Sequence, residues 1–193
     1  RENPVEVQQP ESQTPMGMIY TSGTTGNPKG VILSHSNLVF ECSVVIPLLG
    51  MTKDVRTLAF LPWAHVFGQV AEVHGIIGCG GSAGLVDDVN TLIEELGVVK
   101  PSVFFAVPRV YNRIYDRLRE QMKEKPGFIR ALFYGGLKQA RREREGETLG
   151  FLDNLILTLA RKIIFKKILN RFGGNLRIAV SGASALSPSV AEF

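Results

Sequence analysis

Cysteine is scarce. The 193 residues hold two, Cys42 and Cys79, too few for a disulfide scaffold, and neither lies in a CxxC pair of the kind that binds zinc. A reducing, intracellular setting is the expectation that follows. Long apolar runs are also missing. No charge-free apolar stretch approaches the roughly 18 residues of a membrane span, and no charged-then-apolar leader pattern opens the sequence. Aromatic residues make up 8%, with a single tryptophan, Trp63, and there are three histidines. Charged residues amount to 21% against 45% apolar, which is a globular balance and excludes a disordered tail. A chain of this length forms one or at most two domains and buries about 70% of its unfolded surface. Glycine, by contrast, is plentiful at 20 residues.

Charge divides unevenly. The net charge is +4, yet residues 109–171 carry 16 Lys and Arg against 7 Asp and Glu, leaving 6 basic and 11 acidic residues elsewhere. A basic, helix-patterned segment is thus joined to a slightly acidic, glycine-punctuated remainder. Strands are expected at Met16–Thr21, Val55–Leu61, Ala83–Val86, Ser102–Val107 and Leu176–Ser181, the first as a buried strand. Helices are expected at Ser34–Leu48, with Ser34 or Ser36 as N-cap, at Val66–Ile77, at Val89–Val98 and through most of Arg109–Asn170. Strands that are apolar on both faces and alternate with helices indicate an α/β fold, with β-sheet layers covered by helices. Ser187-Pro188 starts a further helix. The sequence stops about one turn later, and its polar, proline-bearing opening begins at Arg1, so the expectation is a portion of a longer protein.

The most informative stretch is Tyr20-Thr21-Ser22-Gly23-Thr24-Thr25-Gly26-Asn27-Pro28-Lys29-Gly30. It follows an expected strand. Its glycines let the backbone turn and bring N–H groups to an anion, its hydroxyls add donors, and Lys29 adds a compact positive charge. This is the composition of a polyphosphate-binding loop. A plain surface turn does not need four hydroxyls and a lysine at these spacings. The P-loop pattern fails, because Gly26 is followed by Asn27-Pro28 and Lys29 by Gly30. Gly78-Cys79-Gly80-Gly81-Ser82-Ala83 loosely matches a dinucleotide fingerprint, but it follows a helix and precedes a strand, the reverse of the required context. Cys79 near His74 has no neighbour that would lower its pKa and reads as a small buried residue.

Tyr20 to Val31, with Ser34-His35, resembles the phosphate-binding signature of the acyl-adenylate-forming superfamily, which includes acyl-CoA synthetases, luciferases and peptide-synthetase adenylation domains. Leu61-Pro62-Trp63-Ala64-His65-Val66-Phe67-Gly68 is similar to the family segment in which a histidine sits beside the acyl carboxylate. Trp63 reads as core, or else as lining of the acyl tunnel. Ala179-Val180-Ser181-Gly182-Ala183-Ser184-Ala185-Leu186-Ser187-Pro188 resembles the segment leading to the adenine pocket, with Ala183 in place of its second glycine. About seventy residues separate this segment from Pro108-Arg109-Val110-Tyr111, a long link that resembles the long-chain fatty acyl-CoA synthetase group. On this resemblance residues 16–193 are part of an AMP-binding N-terminal domain, 1–15 a linker or leading segment and 109–171 a basic helical insert.

The resemblance implies ATP-dependent activation of a long-chain fatty acid to an acyl-adenylate, followed by thioester formation with CoA. ATP, Mg²⁺ and CoA are the implied cofactors and co-substrates. Thr21, Ser22, Gly23, Thr24, Thr25, Gly26 and Lys29 would hold phosphates, with Thr21 near Mg²⁺. His65 would orient the fatty carboxylate, and Gly182, Ala183 and Ser184 would border the nucleotide or the acyl group. The family's Tyr-Gly-x-Thr-Glu segment, ribose-binding aspartate and catalytic lysine are not among these 193 residues, so catalysis by them alone is not expected. Another carboxylic acid, or a non-catalytic lipid- or partner-binding remnant, are the alternatives. Apolar residues from Phe151 to Ile168 recur at helical spacing beside Arg161, Lys162, Lys166 and Lys167. That stripe packs on its own domain or, as the other option, makes peripheral membrane contact through 151–171. Nucleic-acid binding is not expected, and the expected location is the cytoplasm, with or without that membrane contact.

Overall fold

The computed structural model describes residues 9–21 and 27–193. The chain divides into two compact units, residues 1–55 with 61–82, and residues 56–60 with 83–193.

The first unit opens on an antiparallel hairpin. Strand β1 (Pro15–Thr21) pairs with β2 (Lys29–Ser34). The expected strand at Met16–Thr21 is present, but it is not buried: Met18 and Tyr20 are half or more exposed, and so is Ile32 on β2. The reason is that, among the described residues, each strand has the other as its hydrogen-bonded neighbour, in a two-stranded sheet. β2 ends at Ser34, which caps helix α1 (His35–Leu48) through a capping box. The Asn37 N–H donates to Ser34 Oγ, and the Ser34 N–H donates to Asn37 Oδ1 at 2.9 Å, so two otherwise orphaned donors are satisfied reciprocally. The expected helix at Val66–Ile77 is a composite. Helix α2 (Val66–Gly68) runs into a π turn (Gln69–His74) and then α3 (Gly75–Cys79), which ends at Gly80 in the left-handed region, φ 70°. Among the described residues, Leu38, Met51, Val55, Leu61, Ala71 and Ile76 are the buried apolar residues of this unit.

The second unit holds the most deeply buried strands. β3 (Arg56–Ala59) pairs with β4 (Ser82–Leu85), and β5 (Val103–Ala106) pairs in parallel with β6 (Ile178–Ser181), Val103 opposite Ile178. The Ser102 N–H donates to Arg56 O at 2.8 Å and ties the β5 end to β3. β5 is buried at every position, as a strand covered on both faces should be. A short 3₁₀ turn (Val89–Thr91) leads into α4 (Leu92–Val99). Leu92 and Leu96 pack there with Leu58, Phe104 and Ala106.

Four helices and a second π turn follow. They are α5 (Pro108–Lys123), α6 (Gly127–Arg144), α7 (Phe151–Ala160), the π turn (Arg161–Phe165) and α8 (Lys166–Arg171). Met122, Phe133 and Ile164 form a second buried cluster among them. α8 ends at Gly173 with φ 86°, where a Cβ would lie 2.4 Å from Lys100 Cα. Only glycine fits both that conformation and that contact. Several cations of the basic stretch are neutralised locally. Arg142 meets Glu147 at 2.6 Å and Asp153 at 2.8 Å, Arg161 meets Glu143, and Arg141 meets Glu145 and Glu192. The α7 stripe buries Leu157 and Ala160 but leaves Phe151, Leu152, Leu155 and Leu159 exposed. A final helix, α9 (Pro188–Glu192), starts at Ser187-Pro188 as the sequence indicates.

Candidate active site

The hairpin positions the ends of the glycine–hydroxyl loop. Thr21, the last residue of β1, is the registered partner of Lys29, the first of β2, and Thr21 Oγ1 donates to Lys29 O at 3.4 Å. Two strands joined this way hold the loop's entry and exit one strand spacing apart. Both residues are exposed, so the Lys29 ammonium is available to an anion, while the Thr21 hydroxyl gives its proton to Lys29 O and can offer oxygen lone pairs. Ser22, Gly23, Thr24, Thr25 and Gly26 lie outside the described residues.

His65 sits at the N-cap of α2 in an extended conformation, φ −97° and ψ 140°. Its N–H donates to Pro62 O at 3.0 Å, and its carbonyl accepts from the Gln69 N–H at 3.0 Å. Its ring is exposed and makes no capping hydrogen bond. The turn lies close on the helix it starts: a Cβ added to Gly68 would come within 2.8 Å of Pro62 O. Trp63, read as core, is 47% exposed, and its indole N–H donates to Glu72 Oε2 at 3.3 Å. An indole N–H needs a partner once partly buried. The buried carboxylate of Glu72 supplies one, and the rest of the ring stays half exposed.

Gly182, Ala183 and Ser184 follow β6 in the second unit. The Gly182 N–H donates to Ala106 O at 3.2 Å and extends the β5–β6 ladder by one step. Ala183 then adopts φ 68°, a left-handed conformation that costs a side-chain-bearing residue about 1–2 kcal/mol. This is the position where the resembling segment has its second glycine, the residue type best suited to that conformation. The Tyr111 hydroxyl lies 3.1 Å from both Phe104 O and Val180 O and bridges β5 to β6 just before this turn. Burial pushes the Tyr111 phenol well above its ordinary pKa.

The structure therefore brings Thr21 and Lys29 together, with His65 in the same unit, and places Gly182, Ala183 and Ser184 in the other unit. Among the described residues no hydrogen bond joins His65 to Thr21 or Lys29. No group of three or more His, Cys, Asp or Glu that could hold a metal ion occurs among them either. Of Thr21, Lys29 and His65, Thr21 offers a hard oxygen ligand. That fits Mg²⁺ held chiefly by water and substrate phosphates, which needs only one or two protein oxygens. Sequence reasoning passed over Glu72 and Tyr111. The signal for Glu72 was a lone acid inside the apolar run Val70-Ala71-Glu72-Val73.

This framework has a counterpart among solved structures. The adenylation domain of a carboxylate reductase from Mycobacterium chelonae matches 95% of this chain and 25% of its own, with TM-score 0.63 and 24% identity, so the α/β fold is that of an adenylation domain. The profile of AMP-binding enzymes matches residues 1–193, and the chain belongs to that family. Long chain acyl-CoA synthetase 5 of Arabidopsis thaliana is 37% identical over 190 residues, 91% of this chain and 27% of the relative. Long-chain-fatty-acid–CoA ligase 1 of Homo sapiens is 35% identical over 181 residues, 90% of this chain and 24% of the relative. The chain thus spans about a quarter of the length of these curated relatives.

Proposed function

We propose that these residues belong to a long-chain-fatty-acid–CoA ligase, which joins a fatty acid to AMP at the expense of ATP and then passes the acyl group to CoA. The observation that carries the reading is the hairpin. It puts Thr21 and Lys29 side by side at the mouth of a loop rich in glycine and hydroxyls, and the synthetase relatives support that use of it. A carboxylate is a poor acyl donor. Its oxygen attacks the α-phosphorus of ATP, the bond to the β-phosphate oxygen breaks, and pyrophosphate leaves. The CoA thiolate then adds to the acyl carbon and AMP departs with its phosphate oxygen.

In this scheme the loop from Thr21 to Lys29 binds and orients the β- and γ-phosphates, and the Lys29 ammonium offsets the charge on the leaving pyrophosphate. The Thr21 hydroxyl would hold Mg²⁺, which would supply positive charge to neutralise the phosphates. His65, held at the start of α2 with its ring exposed, orients the fatty carboxylate. Gly182, Ala183 and Ser184 present backbone to the nucleotide. The 193 residues supply these parts.

The test uses a full-length polypeptide carrying this sequence. Lys29→Ala is expected to weaken ATP binding by about ten- to a hundred-fold, the loss of one charge-assisted contact, with fatty-acid binding little changed. An unchanged ATP affinity and an unchanged rate of fatty-acid-dependent pyrophosphate exchange would sink the phosphate-loop assignment.

A further inference from the structure

We propose that Glu72 is a positioning residue for His65. This rests on the reading of His65 as the group that orients the acyl carboxylate. Glu72 is 2% exposed, and a carboxylate removed from water needs compensating donors. The described segment around His65 provides them. The Leu61 N–H donates to Glu72 at 3.1 Å to one oxygen and 3.3 Å to the other, and Trp63 Nε1–H donates at 3.3 Å. These donors flank Pro62, which has no N–H of its own. One buried group therefore fixes the chain on both sides of the proline.

From there the path to His65 is short and closed. Pro62 O accepts from the His65 N–H, and His65 O accepts from the Gln69 N–H, the first residue of the π turn that carries Glu72. Gly68 lets Pro62 O lie against the helix. The segment is thus tied to α2 and its π turn at Leu61, Pro62, Trp63 and His65. The exposed ring of His65 has no side-chain cap bond, so its aim depends on this backbone. Isolated π turns recur where a helix must place a particular side chain at a functional site. Glu72 touches neither acid nor ATP in this account. It acts by holding the segment from which His65 projects.

Steady-state kinetics on the full-length polypeptide, with fatty acid and ATP varied separately, test the idea. The variants are Glu72→Gln, Trp63→Phe and, as reference, His65→Ala. Trp63→Phe removes one donor and keeps an aromatic ring, and Glu72→Gln keeps the shape and one acceptor oxygen, so the outcome does not depend on a variant that fails to fold. Glu72→Gln and Trp63→Phe are each expected to raise KM for the acid about ten-fold, the loss of a hydrogen bond to a charged group, with KM for ATP unchanged. The ¹⁹F resonance of 5-fluorotryptophan at position 63, identified by its disappearance in Trp63→Phe, is expected to move in Glu72→Gln. A purely structural role would lower the active fraction and leave both KM values alone. Unchanged Glu72→Gln and Trp63→Phe enzymes beside an impaired His65→Ala enzyme overturn this inference alone. An unchanged His65→Ala enzyme overturns the assignment of His65, and the positioning role with it.

Discussion

Gly68→Ala probes the seam between the His65 turn and its helix. The added Cβ would meet Pro62 O at 2.8 Å, Leu61 Cβ at 3.0 Å and Pro62 C at 3.2 Å. These atoms belong to the chain itself or stand directly on it, so none can swing aside as the end of a long side chain would. A comfortable carbon–oxygen approach is about 3.3 Å, so the turn must lift by about 0.5 Å. Overpacking of this kind costs about 1–3 kcal/mol. Alanine returns about 1 kcal/mol of helix propensity. The net is about 1 kcal/mol of destabilisation, or a fall in Tm of about 2–4 °C for a chain of this size. The effect on activity should be larger, because a misplacement of about 1 Å can cost about 10²-fold. Half that displacement at His65 is expected to lower kcat/KM for the acid about ten-fold while KM for ATP holds. Gly97→Ala in α4 is the control. Its nearest neighbour would be Arg171 O at 3.9 Å, an ordinary contact, so it should stabilise by about 0.5–1 kcal/mol and leave kinetics unchanged. A folded Gly68→Ala enzyme with kcat/KM for the acid within two-fold of wild type would refute the reasoning.

Two further substitutions test the turn after β6. Ala183→Gly relieves a left-handed residue, φ 68°, and is expected to stabilise by about 1 kcal/mol, read as a higher urea midpoint at unchanged slope; a lower midpoint would contradict the strain. Tyr111→Phe removes the bridge from β5 to β6 and should cost about 1 kcal/mol at neutral pH. It should also flatten the alkaline limb of stability. Because burial raises the folded-state phenol pKa above the unfolded value of about 10, the folded state retains the proton more tightly. The corresponding stability is complete below about pH 10 and is lost as pH climbs past it. Urea midpoints of wild type and variant that fall in parallel through that range would rule this out.

Local signals carried most of the element order. Ser34 reads as an N-cap because a hydroxyl before a helical pattern can accept an early N–H, and the structure shows the full capping box. Ser102–Val107 reads as a buried strand because it is apolar on both faces, and β5 is buried throughout. β2 was not legible. Lys29 and Gly30 look like turn residues, and only pairing with Thr21 and Tyr20 makes them strand. The π turns were not legible either, since a one-residue change of phase is invisible in a short apolar run. Thr21, Lys29 and His65 stood out as chemistry-bearing residues at distinctive spacings. Glu72 and Tyr111 did not, because their importance lies in what they touch: Glu72 reaches nine residues back to Trp63, and Tyr111 reaches 69 residues forward to Val180.

The π turn at Gln69–His74 also sets how this segment can vary in length. A helix tolerates substitution on its outer face far more readily than a change in residue count. Removing Val70 or Ala71 would let the stretch relax into a regular α-helix, with better backbone hydrogen bonds. Residues after the turn would keep their facing, because the wide turn had absorbed the extra residue, so Ile76, now 4% exposed, would hold its buried place. Residues inside the turn would not: the carboxylate at 72 would rotate away from the indole at 63. A shortened variant would thus hold a sounder helix and a poorer site, so the register of this segment is a constraint separate from the identity of any residue in it.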